Sequence, residues 1–257
     1  MKRITGKLLI LSAVLMLVLS LSAWVQADTL KAAVASNALK AMTEIGERFE
    51  KQTGNTVLIS AGSTSKLYTQ IINGAPFDLF FAANVREPAK LEQAGLIVPD
   101  SRFTYAVGRL ALYSKNPTAI GKDGAAYLRS GKYQRLAIAN PEIAPYGHAA
   151  QEVLQALGLW QSLAAKLVRG QNIGQAFQFT VTGNADAGFV AWSDVKQAGA
   201  ASGSAWLIPQ KLYSPLQQQA VILKRCPSLN TAQAFMHFLR SPAISKLLED
   251  KYGYGVE

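Results

Sequence analysis

A single cysteine, Cys226, stands in 257 residues. No disulfide can form within the chain, so the fold must rest on its core alone. The place of Cys226 between Arg225 and Pro227 marks a structural thiol rather than a reactive one. Histidine is almost as scarce. His148 and His237 are the only two, and their separation matches no metal-ligand spacing. His148 reads as a structural or capping residue in the first turn of a helix, and His237 as a packed or surface residue of another. Charged side chains make up 16% of the chain and are scattered along it. No basic stripe alternates with aromatics, which argues against nucleic acid as a partner. A P-loop, a Gly-rich dinucleotide turn, a G-x-S-x-G elbow, an H-E-x-x-H pair and a C-x-x-C pair are all missing from the sequence, and with them the common signatures of nucleotide, hydrolase, zinc and thiol chemistry. Repeats at periods of roughly 20–50 residues are missing too, as are low-complexity linkers that would betray a domain boundary.

What is present begins with an export signal. Lys2, Arg3 and Lys7 precede an almost wholly apolar Leu8–Leu21, and Val25-Gln-Ala27 places a small residue before Asp28. This is the layout of a cleavable secretory signal over 1–27, with the cut near Ala27. The apolar run of 14 residues is short of the roughly 20 that cross a bilayer, so an N-terminal anchor is the weaker reading. With no cysteine at the cut, a lipoprotein is not expected. The formal charge of +10 includes those three leader cations. A positive field would steer an anionic ligand inward, although ordinary solubility charge explains it equally well.

Past the leader, strand and helix patterns alternate. A short buried strand over 30–35 is followed by Ser36-Asn37 and by Leu39, Met42, Ile45 and Phe49 at helical spacing. A strand over 56–60, the polar turn Ala61-Gly-Ser-Thr-Ser65, a short helix through Ile72, a strand over 78–82 and a helix from Val85 to Leu96 come next. One long strand is expected over 105–114. A second cycle holds a short helix at Tyr127-Leu128, a strand over 135–139, a helix over 147–157, a helix marked by Leu159, Leu163 and Leu167, and a helix after Asn172-Ile-Gly174. A strand over 187–191 running into Trp192-Ser-Asp194, strands over 204–208 and 218–223, and two closing helices (231–239 and 242–248) complete the chain. This βαβ alternation predicts α/β lobes with mainly parallel sheets flanked by helices. In such sheets ligands gather at the carboxyl ends of the strands.

Two chemistries compete for the turns at those strand ends. Ser63-Thr-Ser-Lys66 fits S-x-x-K, the nucleophile motif of penicillin-recognising serine hydrolases. Its usual partners are weak here, since Ser193-Asp-Val195 is an imperfect S-D-N and K-T-G is missing. The same residues also suit anion binding. Ser36, Ser63, Thr64 and Ser65 offer neutral hydroxyls beside helix starts, and Tyr146 and Ile173 sit where further helix N–H groups would point inward. Helix N-termini hold anions through unpaired N–H groups and the helix dipole, without a cation in the site. Each serine could instead be an ordinary cap; several such turns in one exported chain favour the anion.

Asn140-Pro-Glu-Ile-Ala-Pro-Tyr-Gly147 is the most specific stretch, followed by Gly74-Ala-Pro-Phe-Asp-Leu-Phe80, Gly62-Ser-Thr-Ser-Lys-Leu-Tyr-Thr-Gln-Ile71, Ala33-Val-Ala-Ser36, Asn172-Ile173 and Gly188-Phe-Val-Ala191. Through these the sequence resembles the periplasmic molybdate-binding components of molybdenum ABC importers. The resemblance implies a two-lobed type II periplasmic-binding-protein fold with a two-strand hinge. Residues 28–107 and the returning segment 216–257 would form one lobe, and 108–215 the other. It implies a monomer in the periplasm that captures molybdate or tungstate for an inner-membrane ABC permease, with no enzyme activity and no cofactor. Molybdenum would enter only as its oxyanion, without protein–metal bonds. Carried over by position, Ser36, Ser63, Thr64, Tyr146 and Ile173 would bind it, the last two by backbone N–H. Thr64 stands for a serine of the family and adds a methyl, and Ala191 stands where some members place a tyrosine. A binder of sulfate, phosphate or a similar tetrahedral oxyanion is the nearest alternative.

Overall fold

Along β1 (Thr29–Ala35), Leu30, Ala32 and Val34 alternate with Ala33, and both sets are buried. A strand buried on both faces needs helices on both sides, and it has them. In this computed structural model, which describes residues 27–199 and 203–255, Leu30, Ala32 and Val34 pack with Met42, Ile45 and Phe49 of α1 (Leu39–Thr53) and with Phe235 and Met236 of α8 (Leu229–Leu239). The Phe49 and Phe235 rings meet edge to face, with centroids 5.1 Å apart. On the opposite face Ala33, Phe80 and Ala82 pack with Leu67 and Ile71 of α2 (Thr64–Ile72) and with Leu91 of α3 (Arg86–Gln93). The expected leader up to Gln26 lies outside the described residues.

The first sheet has the order β2 (Thr56–Gly62), β1, β3 (Leu79–Ala82), β10 (Leu216–Ile222), β4 (Phe103–Gly108). The second has the order β7 (Leu167–Gly170), β6 (Leu136–Ala139), β8 (Ala187–Ala191), β5 (Leu110–Ser114), β9 (Ser204–Leu207). In each, one strand runs against the rest: β10 is antiparallel to β3 and β4, and β5 to β8 and β9, while the other pairings are parallel. The helices of the second lobe are α4 (Gly124–Ser130), α5 (Pro145–Ala156), α6 (Ile173–Val181) and α7 (Trp192–Ala198). After β10, α8 and α9 (Pro242–Asp250) pack on the first sheet, and Gly255 exchanges backbone hydrogen bonds with Val107 at 2.7 and 2.8 Å. The fold is thus two open α/β lobes.

Three local expectations are corrected. The single strand over 105–114 is two strands in different sheets, β4 and β5, parted at Arg109. The apolar alternation runs on through the crossing, so periodicity holds no mark of it. The crossing is set at Gly108, where a Cβ would collide with the Tyr146 hydroxyl and with Nε2 of Gln218. The helix through Leu159, Leu163 and Leu167 is instead a 3-10 turn, Ala164–Lys166, followed by β7. Leu167 pairs with Leu136 at the sheet edge, and Lys166 Nζ donates to the carbonyls of Gly131 and Tyr133 at 2.7 and 2.9 Å. Trp192, Ser193 and Asp194 open α7 rather than end a strand. The chain returns to the first sheet between Leu207 and Leu216 through a 3-10 turn at Gln210–Leu212.

Gly108→Ala should force the Tyr146 and Gln218 side chains apart at this crossing. We expect a loss of about 1–3 kcal/mol, the usual range for overpacking, read as a lower urea midpoint. An unchanged midpoint would show that the two side chains move aside freely.

Candidate functional site

Four helix starts converge between the lobes. They are the 3-10 turn Ser36–Ala38 after β1, α2 after β2, α5 after β6 and α6 after β7. Each follows the carboxyl end of a parallel strand, which is why all four face the cleft. The space they enclose, a cavity of about 10 Å³, is lined by Ala35, Ser36, Asn37, Gly62, Ser63, Thr64, Ala83, Ala144, Pro145, Tyr146, Asn172 and Ile173. None of these side chains is charged. All five residues expected from the sequence to bind the ligand are among them.

The first turn of a helix leaves its N–H groups unpaired unless a side chain caps them. Here the side chains at three of the four starts do not cap. Ala35, Ser63 and Ala144 occupy the cap positions of the 3-10 turn, α2 and α5, and none accepts a capping bond. Only Asn172 caps, accepting from the Gln175 N–H at 2.9 Å. The Ser63 hydroxyl is buried and has no hydrogen-bond partner among the described residues. The Thr64 hydroxyl is held, accepting from the Ala83 N–H at 3.1 Å. Ser36 Oγ accepts from the Gly174 N–H at 3.3 Å across the cleft, which leaves its own hydrogen to give.

α5 starts at Pro145, two residues earlier than the periodicity predicts, because proline suits the first helical position. Tyr146 is therefore a first-turn residue, ahead of the bonds that Gly147 and His148 make to the Ala144 carbonyl at 2.9 and 3.0 Å. Gly147 lets this turn press on β6, since a Cβ there would strike the Ala139 carbonyl. The Tyr146 ring points away to the lobe crossing, where its hydroxyl accepts from Gln218 Nε2 at 3.1 Å. Burial holds the phenol well above its ordinary pKa, so it stays neutral.

Asn37 follows Ser36 and is not among the residues expected from the sequence to bind the ligand. It lines the cavity and is 4% exposed. Its Nδ2 donates to Gln218 Oε1 at 2.8 Å and to the Tyr254 hydroxyl at 3.2 Å, and its carbonyl accepts from Tyr254 at 2.9 Å and Ser193 at 3.2 Å. Nothing in the sequence joins residues so far apart. Ala191 is fully buried at the end of β8 and does not line the cavity.

The model of the bacterial extracellular solute-binding proteins matches residues 30–255. The chain belongs to that family. Among solute-binding proteins it is 46% identical, over 90% of its length and 92% of the relative's, to the molybdate-binding protein ModA of Azotobacter vinelandii. It is 43% identical to the molybdate-binding protein ModA of Rhodobacter capsulatus, over 95% and 94% of the two chains. The solved structure of the Azotobacter vinelandii periplasmic molybdate-binding protein superposes with a TM-score of 0.84 at 41% identity, covering 89% of this chain and 99% of that one. These relatives are solute-binding proteins and not enzymes. Within the S-x-x-K spacing, Lys66 Nζ donates to Gln171 Oε1 at 2.7 Å, and the Ser63 hydroxyl has no partner among the described residues.

In this solute-binding protein the two lobes touch. The Ser65 N–H donates to the Ile143 carbonyl at 3.2 Å, and Lys40 pairs with Asp194 at 3.5 Å. Asp194 is 8% exposed, and its second oxygen has no partner among the described residues. Burial pushes its pKa from 3.8 up to about 6, against the pull of Lys40. The folded protein therefore holds this proton more tightly than the unfolded chain does. The associated stability is full below pH 3.8 and is lost as pH rises to about 6. Relative to Asp194→Asn, the wild type should lose on the order of 1–3 kcal/mol between those limits. Urea denaturation across that interval checks this, and parallel curves would place the titration elsewhere.

Proposed function

We propose that this chain captures molybdate, and tungstate with it, in the periplasm and delivers it as a monomer to an ABC importer. One observation carries the reading: a neutral cavity at four helix starts, holding a buried Ser63 hydroxyl with no partner among the described residues. Removing a dianion from water is costly, and the helix dipoles and first-turn N–H groups offset that cost without a fixed cation. Ser36 and Ser63 give hydroxyl donors, Thr64 keeps a donor proton while braced on Ala83, and Tyr146 and Ile173 give backbone N–H groups. Every donor is permanently protonated, so the site accepts a fully deprotonated oxyanion and has no acceptor charge to favour an acidic one. The relatives' molybdate-binding names select molybdate among tetrahedral oxyanions.

Opening about the Gly108–Leu110 and Leu207–Leu216 crossings lets the ligand enter, and closure then excludes water, which strengthens each hydrogen bond. The Gln218–Tyr146 bond spans those crossings and holds the α5 start against the first lobe.

Isothermal calorimetry with molybdate tests the donor set. Ser36→Ala and Ser63→Ala should each weaken binding by about 1.5–3 kcal/mol, the range for a hydrogen bond to a charged group. Without ligand, Ser63→Ala should leave the melting temperature unchanged or raise it, because it removes an unsatisfied buried hydroxyl. Unchanged affinity in either variant removes that residue from the site. Competition by sulfate on equal terms with molybdate and tungstate would move the function to a general oxyanion binder.

A further inference from the structure

Lys66 is the third residue of α2, where the positive end of the helix dipole disfavours a cation. It is exposed, and no carboxylate among the described residues pairs with it. Its amine instead reaches across the cleft to Gln171 Oε1 at 2.7 Å. Gln171 is held ready for it. Its own N–H donates to Gln175 Oε1 at 2.6 Å, and Gln175 in turn donates its N–H to the Asn172 cap. Lys66 and Gln171 line an open vestibule of about 430 Å³, together with Gly62, Ser63 and Asn172. Those last three also line the anion cavity, so the vestibule is the mouth of that cavity. Lys66 is the one charged side chain in its lining.

We propose that Lys66 is the gate of the anion site: its charge draws the dianion into the vestibule, and its hydrogen bond to Gln171 then closes the mouth behind it. The cavity itself stays free of charge, so Lys66 acts on the rates of entry and exit rather than on the choice of anion. A cation in the wrong turn of a helix, facing a braced acceptor on the other lobe, has no better account in the packing. The S-x-x-K spacing, which suggested a nucleophile and its base, places the amine near the start of the same helix as Ser63 but at the rim. The gate rests on the molybdate reading above.

Stopped-flow tryptophan fluorescence with sodium molybdate separates the two halves of the proposal. Lys66→Met should slow association several-fold at about 0.01 M salt, where screening reaches only beyond ~30 Å, and the difference should vanish near 1 M, where it acts at ~3 Å. The same variant should speed dissociation by about three- to tenfold, as expected for one exposed hydrogen bond. Gln171→Leu should speed dissociation by the same factor and leave association alone. The double variant should dissociate no faster than either single one. Both residues are exposed, so folding is not at stake. Unchanged low-salt association in Lys66→Met, or unchanged dissociation in either single variant, overturns the gate. Calorimetry on the wild type keeps the two ideas apart. Molybdate binding there with unaltered variant rates overturns the gate alone, while no binding at all removes the molybdate reading and the gate together.

Discussion

Helix starts carry N–H groups that cannot bond within the helix, and a buried donor without an acceptor costs about 1–3 kcal/mol. Four such starts meet in one small space between the lobes, and three lack a capping side chain. Their arrangement suits the proposed capture of an acceptor from outside. The remaining architecture serves that need. Parallel strands deliver the turns to one edge of each sheet, and helices on both faces bury the strands enough to hold those turns in place.

The two halves of the site are coupled through a chain of buried polar side chains. Tyr146 offers its backbone at the cavity and its hydroxyl to Gln218 at the crossing. Gln218 also accepts from Asn37 at 2.8 Å and from Tyr105 at 3.0 Å. Asn37 follows Ser36 and is fixed by Tyr254 from the chain's end. One buried polar chain therefore links the Ser36–Ala38 turn of the first lobe, the returning strand, the C-terminal segment and the start of α5 in the second lobe. Buried networks of this kind are stable when their members are satisfied. Here the Asn37 Oδ1 and Ser63 Oγ atoms have no partner among the described residues.

Local periodicity served well where a strand or helix is long and regular, as in β1, α1 and α8. It served poorly where the deciding contact is distant. The strand over 105–114 reads as continuous, yet Gly108 belongs to one sheet and Leu110 to the other. Leu159, Leu163 and Leu167 have helical spacing, but Leu167 satisfies its backbone on Leu136, 31 positions earlier in the chain. Asn37 gave no hint of its partners for the same reason: Gln218 is 181 positions away and Tyr254 is 217.

The sequence by itself determined the α/β class, the polar turns at strand ends, the neutral character of the donors and, by resemblance, the family and its anion. Those depend on residue type and short spacing, which a linear chain states directly. Only the tertiary structure decided that the turns share one cavity, that Ser63 is left open while Thr64 is braced on Ala83, and that Lys66 reaches Gln171 and not Ser63. These are matters of which distant groups meet. A hydroxyl or an amine carries no sign of its partner until the chain has brought the two within 3 Å or so of one another, the range of a hydrogen bond.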